Sequence, residues 1–359
     1  MRILIIKTSS LGDVIHALPV LDYLKQTCPD CSIDWVVEEP FLPIVAHNPL
    51  IDRVLVVRTK TWRKQPFAPE TRQQAAQLWA TLRQSRYDYV FDIQGNLKSG
   101  LIALATGAPV RIGFSREALQ EKINLLFTTR TVAFQSGDTH CRQRYLRLVS
   151  APFGPQGETD HFTTDIVSAP EDEAAAEQFM APLSGSRVLL FQVGTTWATK
   201  FWHTAGWNAL TRRILEQYPD TRILINWGSP VEKALGEDII AAAGDRVSLL
   251  PWFKIKELVP IIRRVDLVVG GDTGPVYLAA AVGTPTVSYY RATSAATYAP
   301  RGEQHRSIQA PLSCTGCGRT TCERDEECRQ SISVDSLFAA VVALLAQTPG
   351  RKDVPCCPS

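Results

Sequence analysis

The first residue that could do chemistry is Asp13, in the sequence KTSSLGDV near the start of the chain. An aliphatic run, Arg2–Lys7, precedes it and is typical of a strand buried on both faces of a parallel sheet. A polar turn with Gly12 follows, and apolar residues at helical spacing predict a helix that begins near Asp13. The carboxylate is therefore either a helix cap or a free group in the crevice above the sheet. A strand, a turn with glycine and a helix N-terminus also suit an anion.

Four closely spaced cysteines form a second group. Cys314, Cys317, Cys322 and Cys328 are separated by two, four and five residues. This spacing suits a structural zinc or iron–sulfur site, and the alternative is free thiols or a redox-labile pair in a reducing cytoplasm. We expect no catalytic role for them.

Alternating apolar runs and helical patterns predict two α/β units, each with a doubly wound parallel sheet. A polar segment rich in Pro and Gly, between residues 149 and 185, marks the boundary between the two predicted domains. The predicted domains are residues 1–165 and 170–330, followed by a helix over 331–348 and a tail over 349–359. Ligands of open α/β sheets bind at the carboxyl ends of the strands, so we expect two crevices that face each other across a central cleft.

The composition restricts the class of protein and its partners. A chain of 359 residues with 45% hydrophobic and 21% charged residues is typical of a soluble globular protein. No apolar run approaches the roughly 20 residues that span a bilayer, and the first is too short for a signal peptide. Residues 53–147 hold 16 Lys and Arg against 6 Asp and Glu, which predicts an anionic partner. Nucleic acid ranks last, because no ladder of stacking aromatic residues accompanies this charge.

Several motifs in order resemble those of the heptosyltransferases of glycosyltransferase family 9. They begin with MRILIIKTSSLGDVIHALP over residues 1–19 and end with GGDTGPVYLAAAVGTPTV over 270–287. Between them lie QG-x-x-KS at 94–99, TT-x-x-x-K-x-W at 195–202 and WG-x-P-x-E at 227–232. The resemblance covers most of the chain. It implies a GT-B fold of two Rossmann-like domains, with the acceptor in the N-terminal domain and an ADP-sugar in the C-terminal domain.

The resemblance also implies an activity, which is inverting transfer of heptose from ADP-L-glycero-D-manno-heptose to the Kdo-containing inner core of lipopolysaccharide. Asp13 would be the general base that deprotonates the acceptor hydroxyl, and Lys200 would support the leaving group. The acceptor would be of the Kdo–lipid A type. The enzyme would be cytoplasmic and peripheral on the inner membrane of a Gram-negative bacterium. No metal cofactor is expected, because the chain has no DxD motif.

Matching motif positions supply the other candidate residues. Diphosphate, ribose and sugar contacts are expected from Thr195, Thr196, Glu232, Asp272, Thr273, Gly274 and Tyr277. Acceptor contacts, including cations for Kdo carboxylates and lipid A phosphates, are expected from Ser9, Ser10, Gly12, Arg63, Lys64, Arg116 and Arg144. The alternatives are a solvated surface charge for Lys200 or any single Arg, and an ordinary helix cap for the two threonines. Trp62 and Phe67 would accompany the basic region at a lipid interface.

One position departs from the family pattern, because DTG-x-x-H has Tyr277 in place of His. Tyrosine is not a cation near neutral pH and is bulkier. A different donor sugar and a water-mediated contact both agree with this change. The remaining alternatives are a family 9 transferase with another nucleotide sugar or acceptor glycan, and an inactive nucleotide- or lipid-binding relative. The presence of both Asp13 and Lys200 favours an active enzyme.

Overall fold

The computed structural model describes residues 1–154, 162 and 165–347. The chain divides into two compact units, of which the first is Met1–Val167 and the second begins at Ser168. The predicted tail over 349–359, with Cys356 and Cys357, lies outside the described residues.

The first unit is built on a six-stranded parallel sheet in the order β3-β2-β1-β4-β5-β6. Its strands are β1 (Arg2–Ile6), β2 (Ser32–Glu38), β3 (Arg53–Val57), β4 (Tyr89–Asp92), β5 (Val110–Phe114) and β6 (Arg130–Val132). In the central strand β1, Ile5 lies opposite Trp35 on one side and Phe91 on the other. Residues 3–6 are fully buried, which explains why β1 is aliphatic throughout.

Six α-helices of the first unit flank this sheet. They are α1 (Leu11–Ala17), α2 (Pro19–Thr27), α3 (Thr59–Lys64), α4 (Pro69–Gln84), α5 (Leu97–Thr106) and α6 (Cys141–Ser150), with 3₁₀ segments at Glu39–Ile44 and Lys122–Phe127. Helix α1 begins at Leu11, slightly earlier than predicted, because Ser10 rather than Asp13 is its N-cap.

The second unit has its own six-stranded parallel sheet, in the order β12-β11-β10-β7-β8-β9. Its strands are β7 (Arg187–Gln192), β8 (Thr221–Asn226), β9 (Val247–Leu249), β10 (Leu267–Gly271), β11 (Thr286–Tyr290) and β12 (His305–Gln309). Two parallel sheets flanked by helices confirm the predicted α/β fold class.

The helices of the second unit surround a core that is rich in tryptophan. They are α7 (Pro170–Met180), α8 (Thr204–Gln217), α9 (Pro230–Ala243), α10 (Ile255–Arg263), α11 (Gly274–Ala281), α12 (Ala295–Tyr298), α13 (Asp325–Gln330) and α14 (Val334–Leu345), with 3₁₀ segments at Ala181–Leu183 and Ala198–Lys200. Trp202 and Trp207 are buried in this core, with their ring centroids 5.3 Å apart.

The last helix, α14, belongs to the core of the second unit. Leu337, Val341 and Leu344 are buried there, and Trp202 Nε1 donates to the Ile332 carbonyl at 3.0 Å. By length and composition alone, Asp325–Leu345 could cross a membrane. The chain breaks this segment into α13 and α14, and the buried side chains of α14 belong to the core of the second unit.

Parallel strands place the predicted site residues at one edge of each sheet, because their carboxyl ends coincide. In the first unit, the segments after β1, β3 and β5 carry the candidates Asp13, Arg63 and Arg116. In the second unit, the segments after β7, β8 and β10 carry Lys200, Glu232 and Asp272.

Candidate active site

The loop after β1 is held by the side chain of Gln94, which follows the neighbouring strand β4. Gln94 Oε1 accepts hydrogen bonds from the backbone N–H groups of Thr8 and Ser9, both at 3.0 Å, and from Thr8 Oγ1 at 3.2 Å. The Ser10 N–H donates to Asp13. The N–H groups of Thr8, Ser9 and Ser10 are therefore engaged within the protein.

Asp13 is the third residue of α1 and closes a capping box with Ser10. Its Oδ2 accepts from the Ser10 N–H at 3.1 Å and from Ser10 Oγ at 2.7 Å. Tyr145, on α6, donates its hydroxyl to Oδ1 at 3.2 Å. The two interpretations of Asp13 are thus compatible, because Oδ2 caps the helix while Oδ1 retains a lone pair for a substrate proton.

A buried cation keeps Asp13 ionised. Burial raises the pKa of Asp13, but Lys7 and the two hydrogen bonds from Ser10 lower it by more, and His16 adds to them. The pKa therefore lies below the ordinary value of 3.8. The Lys7 side chain is itself buried, with Nζ 5.0 Å from the centroid of the Tyr145 ring. Lys7 and Tyr145 are functional candidates that sequence reasoning missed.

His16, His140 and Cys141 lie beside Asp13 and are the one group of three potential metal ligands within 4.8 Å of one another among the described residues. His140 Nδ1 accepts the Arg142 N–H at 3.2 Å, which puts the ring proton of neutral His140 on Nε2. Burial and the nearby Asp13 charge raise the pKa of the Cys141 thiol, so the thiol stays protonated.

The predicted acceptor cations differ in their surroundings. Arg63 and Lys64 end α3 and are exposed, as is Arg116 after β5. Arg144 is half-buried: its Nε donates to the Asp138 carbonyl at 3.0 Å and its guanidinium lies 5.0 Å from the centroid of Phe134. Three of the four cations are thus accessible to a ligand, whereas Arg144 also packs within the first unit.

The two aromatic residues predicted at a lipid interface also differ. Phe67 is 78% exposed. Trp62 instead packs against the core beneath α4, where its Nε1 donates to Gln74 Oε1 at 3.0 Å. The indole of Trp62 therefore packs α3 against α4, and its place at a lipid interface stays a prediction.

In the second unit, Lys200 and Asp272 meet in a buried ion pair. They follow the neighbouring strands β7 and β10, and Lys200 Nζ lies 2.7 Å from Asp272 Oδ2. Thr293 Oγ1 donates to the same oxygen at 2.5 Å. The Lys200 side chain is only 13% exposed, so it is not a solvated surface lysine.

Tyr277 completes this network from the first turn of α11. Its hydroxyl donates to Asp272 Oδ1, so both oxygens of Asp272 are engaged. Burial, with Tyr290 and Asp272 as further causes, raises the pKa of Tyr277 well above its ordinary value, so the phenol stays protonated. Tyr277 therefore acts on Asp272 as a neutral hydrogen-bond donor.

Glu232 lies at the carboxyl ends of β7 and β8 because Gly194 makes room for it. Glu232 Oε2 accepts the Gly228 N–H at 2.7 Å, and the Glu232 N–H donates to Ser229 Oγ at 3.3 Å. A Cβ atom at Gly194 would lie 2.0 Å from Glu232 Cγ and 2.1 Å from Cδ. Only glycine at position 194 therefore allows the observed position of this carboxylate.

The remaining candidates for donor binding lie at the carboxyl ends of the strands of the second sheet. Thr195 and Thr196 follow β7 without capping a helix, since α8 is capped by His203, whose Nδ1 accepts the Gly206 N–H at 2.9 Å. This excludes the alternative of an ordinary helix cap. Thr273 is the N-cap residue of α11, which starts at Gly274, but its side chain makes no capping hydrogen bond.

Residues 75–327, well over half of the chain, match the family model described as glycosyltransferase family 9 (heptosyltransferase). The chain belongs to glycosyltransferase family 9. It is therefore a glycosyltransferase, and the resemblance inferred from its motifs is confirmed.

Relatives of this family 9 enzyme match it over most of their length. It is 30% identical over 325 residues to lipopolysaccharide heptosyltransferase 1 from Pseudomonas aeruginosa, covering 90% of this chain and 87% of that protein. It is 29% identical over 318 residues to lipopolysaccharide heptosyltransferase 1 of Escherichia coli K12, covering 87% and 94%. The structure of E. coli heptosyltransferase WaaC with ADP matches with a TM-score of 0.76 and 25% identity, covering 96% of this chain and 100% of that chain.

The QG-x-x-KS motif of this family 9 enzyme has a structural role that sequence reasoning left open. Gln94 fixes the loop after β1, and Gly95 adopts φ +72° at the turn that follows. Asn96 caps α5, while Ser99 Oγ donates to the buried carboxylate of Asp92 at 2.9 Å. The motif therefore positions the loop that carries Asp13.

The four cysteines of the family 9 enzyme do not fit a zinc or iron–sulfur site as placed. Cys314 and Cys317 are exposed, and no three of the four sulfurs lie within 4.8 Å of one another in the described part of the chain. The loop between β12 and α13 is instead tied by its backbone. The Gly316 N–H donates to the Arg291 carbonyl at 2.9 Å, and the Gly318 N–H to the Ala292 carbonyl at 2.7 Å.

Proposed function

We propose that this enzyme transfers heptose from ADP-L-glycero-D-manno-heptose, with inversion, to the Kdo-containing inner core of lipopolysaccharide. Two relatives at about 30% identity are named lipopolysaccharide heptosyltransferase 1, and WaaC has been solved with ADP and with ADP-2-deoxy-2-fluoro heptose. The observation that carries the mechanism is Asp13, a carboxylate held ionised at the carboxyl edge of a parallel sheet, with one oxygen available to a substrate.

Asp13 acts as the general base in this mechanism. Inversion requires a base on the face of the sugar opposite the departing diphosphate. Oδ1 removes the proton of the acceptor hydroxyl as that oxygen bonds to the anomeric carbon. The bond between this carbon and the β-phosphate oxygen breaks, and its electron pair leaves with ADP. Ser10 holds Oδ2, so the carboxylate keeps its orientation during proton transfer.

The second unit binds the donor through several kinds of group. Glu232 Oε2 is occupied by Gly228, so Oε1 is the oxygen for a ribose hydroxyl. Diphosphate oxygens accept from the hydroxyls of Thr195, Thr196 and Thr273 and from the Gly274 N–H.

Lys200 compensates the charge that develops on ADP. Asp272 faces the sugar hydroxyls, and Tyr277 fixes its carboxylate. These groups neutralise the leaving group without a resident metal ion, and no cofactor is required.

The acceptor is of the Kdo–lipid A type and binds through carboxylates and phosphates. Arg63, Lys64 and Arg116 are the exposed cations that bind these anions, with Arg144 behind them. Since this acceptor is a lipid, the enzyme works in the cytoplasm, peripheral on the inner membrane of a Gram-negative bacterium.

The proposal is tested by measuring ADP release from ADP-heptose with and without a Kdo₂-lipid A acceptor. Acceptor-dependent release, with the product confirmed by mass spectrometry, supports it. ADP binding without release from this pair would contradict the proposed substrates. A panel of other ADP-sugars would then identify the donor, with Tyr277 as the first residue to vary.

We expect Lys7→Met to change the pH dependence of activity. A general base with a depressed pKa stays active at every pH above that value, so kcat/KM of the wild type should decline only in strong acid. The Lys7 charge is the strongest of the interactions that lower the pKa of Asp13, and the variant lacks it. The acidic limb of the kcat/KM profile should therefore move toward neutral pH. Ser10→Ala, which removes one hydrogen bond, should move it the same way by less. Identical profiles for all three proteins would contradict this account.

We expect Gly194→Ala to weaken ADP binding at least about tenfold, because the new methyl group displaces the carboxylate of Glu232 and one hydrogen bond to a charged group is lost. Isothermal titration calorimetry with ADP measures this. Gly228→Ala is the matched comparison, since a Cβ there would lie 3.6 Å from Glu232 Oε2, an ordinary contact. Equal affinity in the two variants would remove Glu232 from the nucleotide site.

A further inference from the structure

We propose that an exposed aliphatic face of the first unit docks on an anionic lipid bilayer. This aliphatic face comprises Leu97, Leu101 and Leu104 of α5 with Ile123 and Leu126 of the 3₁₀ segment Lys122–Phe127. The inference deepens the peripheral location proposed above, and it rests on the proposed function only for the identity of the lipid acceptor.

Helix α5 carries its exposed apolar residues along one side. Leu97, Leu101 and Leu104 are spaced by four and three residues and are 40%, 49% and 45% exposed. The opposite side, with Ile102 and Ala103, is buried in the core of the first unit. A helix whose outer side met only water would carry polar residues there. Helix α5 is therefore apolar on both its buried side and its solvent-exposed side.

The 3₁₀ segment extends this face beside the start of α5. Asn124 Nδ2 donates to the Asn96 carbonyl at 2.9 Å, and a carboxylate oxygen of Glu121 accepts the Leu97 N–H at 2.9 Å. Leu126 is 75% exposed and Ile123 nearly half exposed. Large aliphatic side chains gathered on adjoining segments mark an interaction surface more strongly than scattered ones.

Basic residues lie at both ends of the aliphatic face. At the N-terminal end of α5, Lys98 Nζ donates to Thr59 Oγ1 at 3.1 Å, which brings the exposed cations of α3 beside the face. These cations are Lys60, Arg63 and Lys64. At the C-terminal end, a Cβ atom at Gly107 would lie 1.9 Å from Arg83 Nη1, so this guanidinium covers the end of the helix.

This combination selects an anionic lipid surface as the occupant. Aliphatic side chains that enter the headgroup region, with cations placed to meet lipid phosphates, are the features of interfacial segments. A second copy of the chain would instead bring two sets of like charges together. Glu121, the acidic residue at the start of the 3₁₀ segment, is already engaged by the Leu97 N–H.

The position of the face also explains how a lipid acceptor would be presented. The Lys98–Thr59 hydrogen bond joins the aliphatic face to α3, which carries the proposed acceptor cations Arg63 and Lys64. The acyl chains of the acceptor can then stay in the bilayer while its anionic headgroup reaches α3.

The test is co-sedimentation of the full chain with vesicles of phosphatidylethanolamine and phosphatidylglycerol, compared with vesicles of phosphatidylcholine alone. The variant is Leu101→Glu/Leu126→Glu, and the matched control is Val231→Glu, another exposed aliphatic residue, in the second unit. We expect at least about tenfold weaker partitioning for the double variant on anionic vesicles, and wild-type partitioning for the control. Circular dichroism and thermal melting verify that both variants are folded.

Wild-type partitioning of a folded double variant would overturn the proposal, as would equal binding of the wild type to neutral vesicles. Loss of self-association in the double variant, with vesicle binding unchanged, would assign the face to a second copy instead. Transfer to a soluble Kdo acceptor without acyl chains should be equal in wild type and double variant. If no transfer occurs but vesicle binding follows this pattern, the proposed function fails while the docking face stands.

Discussion

Asp13→Asn is expected to lower kcat by about 10²- to 10⁴-fold, the range that a positioned general base contributes. The amide cannot take the proton of the acceptor hydroxyl. Its oxygen can still accept the two hydrogen bonds from Ser10, so the capping box and the fold should persist. The affinity for ADP should not change, because Asp13 belongs to the first unit and the proposed nucleotide contacts belong to the second. Steady-state ADP release gives kcat, and calorimetry gives the affinity for ADP.

Asp30→Asn is the control for the loss of one negative charge, since Asp30 is an exposed carboxylate of the same unit. It should leave kcat at the wild-type value. A folded Asp13→Asn enzyme that kept more than a tenth of wild-type kcat would exclude Asp13 as the base. The capping role of its Oδ2 would then be its whole function.

Lys200→Met is expected to lower kcat by about 10²- to 10³-fold, the loss that follows removal of one preorganised group from a developing negative charge. It should also lower the free energy of unfolding by about 3 kcal/mol, because Asp272 is left buried without its cation. These two effects have different causes. Kinetics of ADP release and thermal unfolding of the same preparations separate them.

The double variant Lys200→Met/Asp272→Asn further separates the effect on kcat from the effect on stability. A neutral amide at position 272 removes the unpaired charge, so stability should return toward the wild-type value. Activity should not return, because the leaving group still lacks its cation. Recovery of kcat together with stability would show that the ion pair serves the fold alone.

Sequence pattern predicted the central strands better than the peripheral ones. Strands β1, β7 and β10 each contain an uninterrupted buried apolar run, which is a local signal. Strand β5 has a weaker local signal because Arg111 and Gly113 interrupt it, and so do β6, β9 and β12 because they are short or polar edge strands. Their pairing depends on neighbours that are distant in sequence.

Site residues divide in the same way. The family resemblance predicted Asp13, Lys200, Glu232 and Asp272 as site residues, and each of them lies in the segment that follows a strand. Tyr145 could not be found by spacing, since it reaches Asp13 from a helix 132 residues later in the chain.

The cysteine spacing led to the opposite outcome, since three of the four cysteines lie on a loop that is tied by its backbone and Cys328 lies on α13. Spacing along the chain shows which cysteines are near in sequence, but it does not determine whether their side chains converge.

The sequence by itself determined the two α/β units, the family and the residue types at each strand end, because burial on both faces and turn chemistry are local properties. Only the tertiary structure decided that one oxygen of Asp13 closes a capping box with Ser10 while the other accepts from Tyr145, and that Lys200 pairs with Asp272. It also decided that the apolar outer side of α5 is exposed to solvent. These outcomes depend on which side chains long-range packing brings within a few ångströms, and on which faces that packing leaves uncovered.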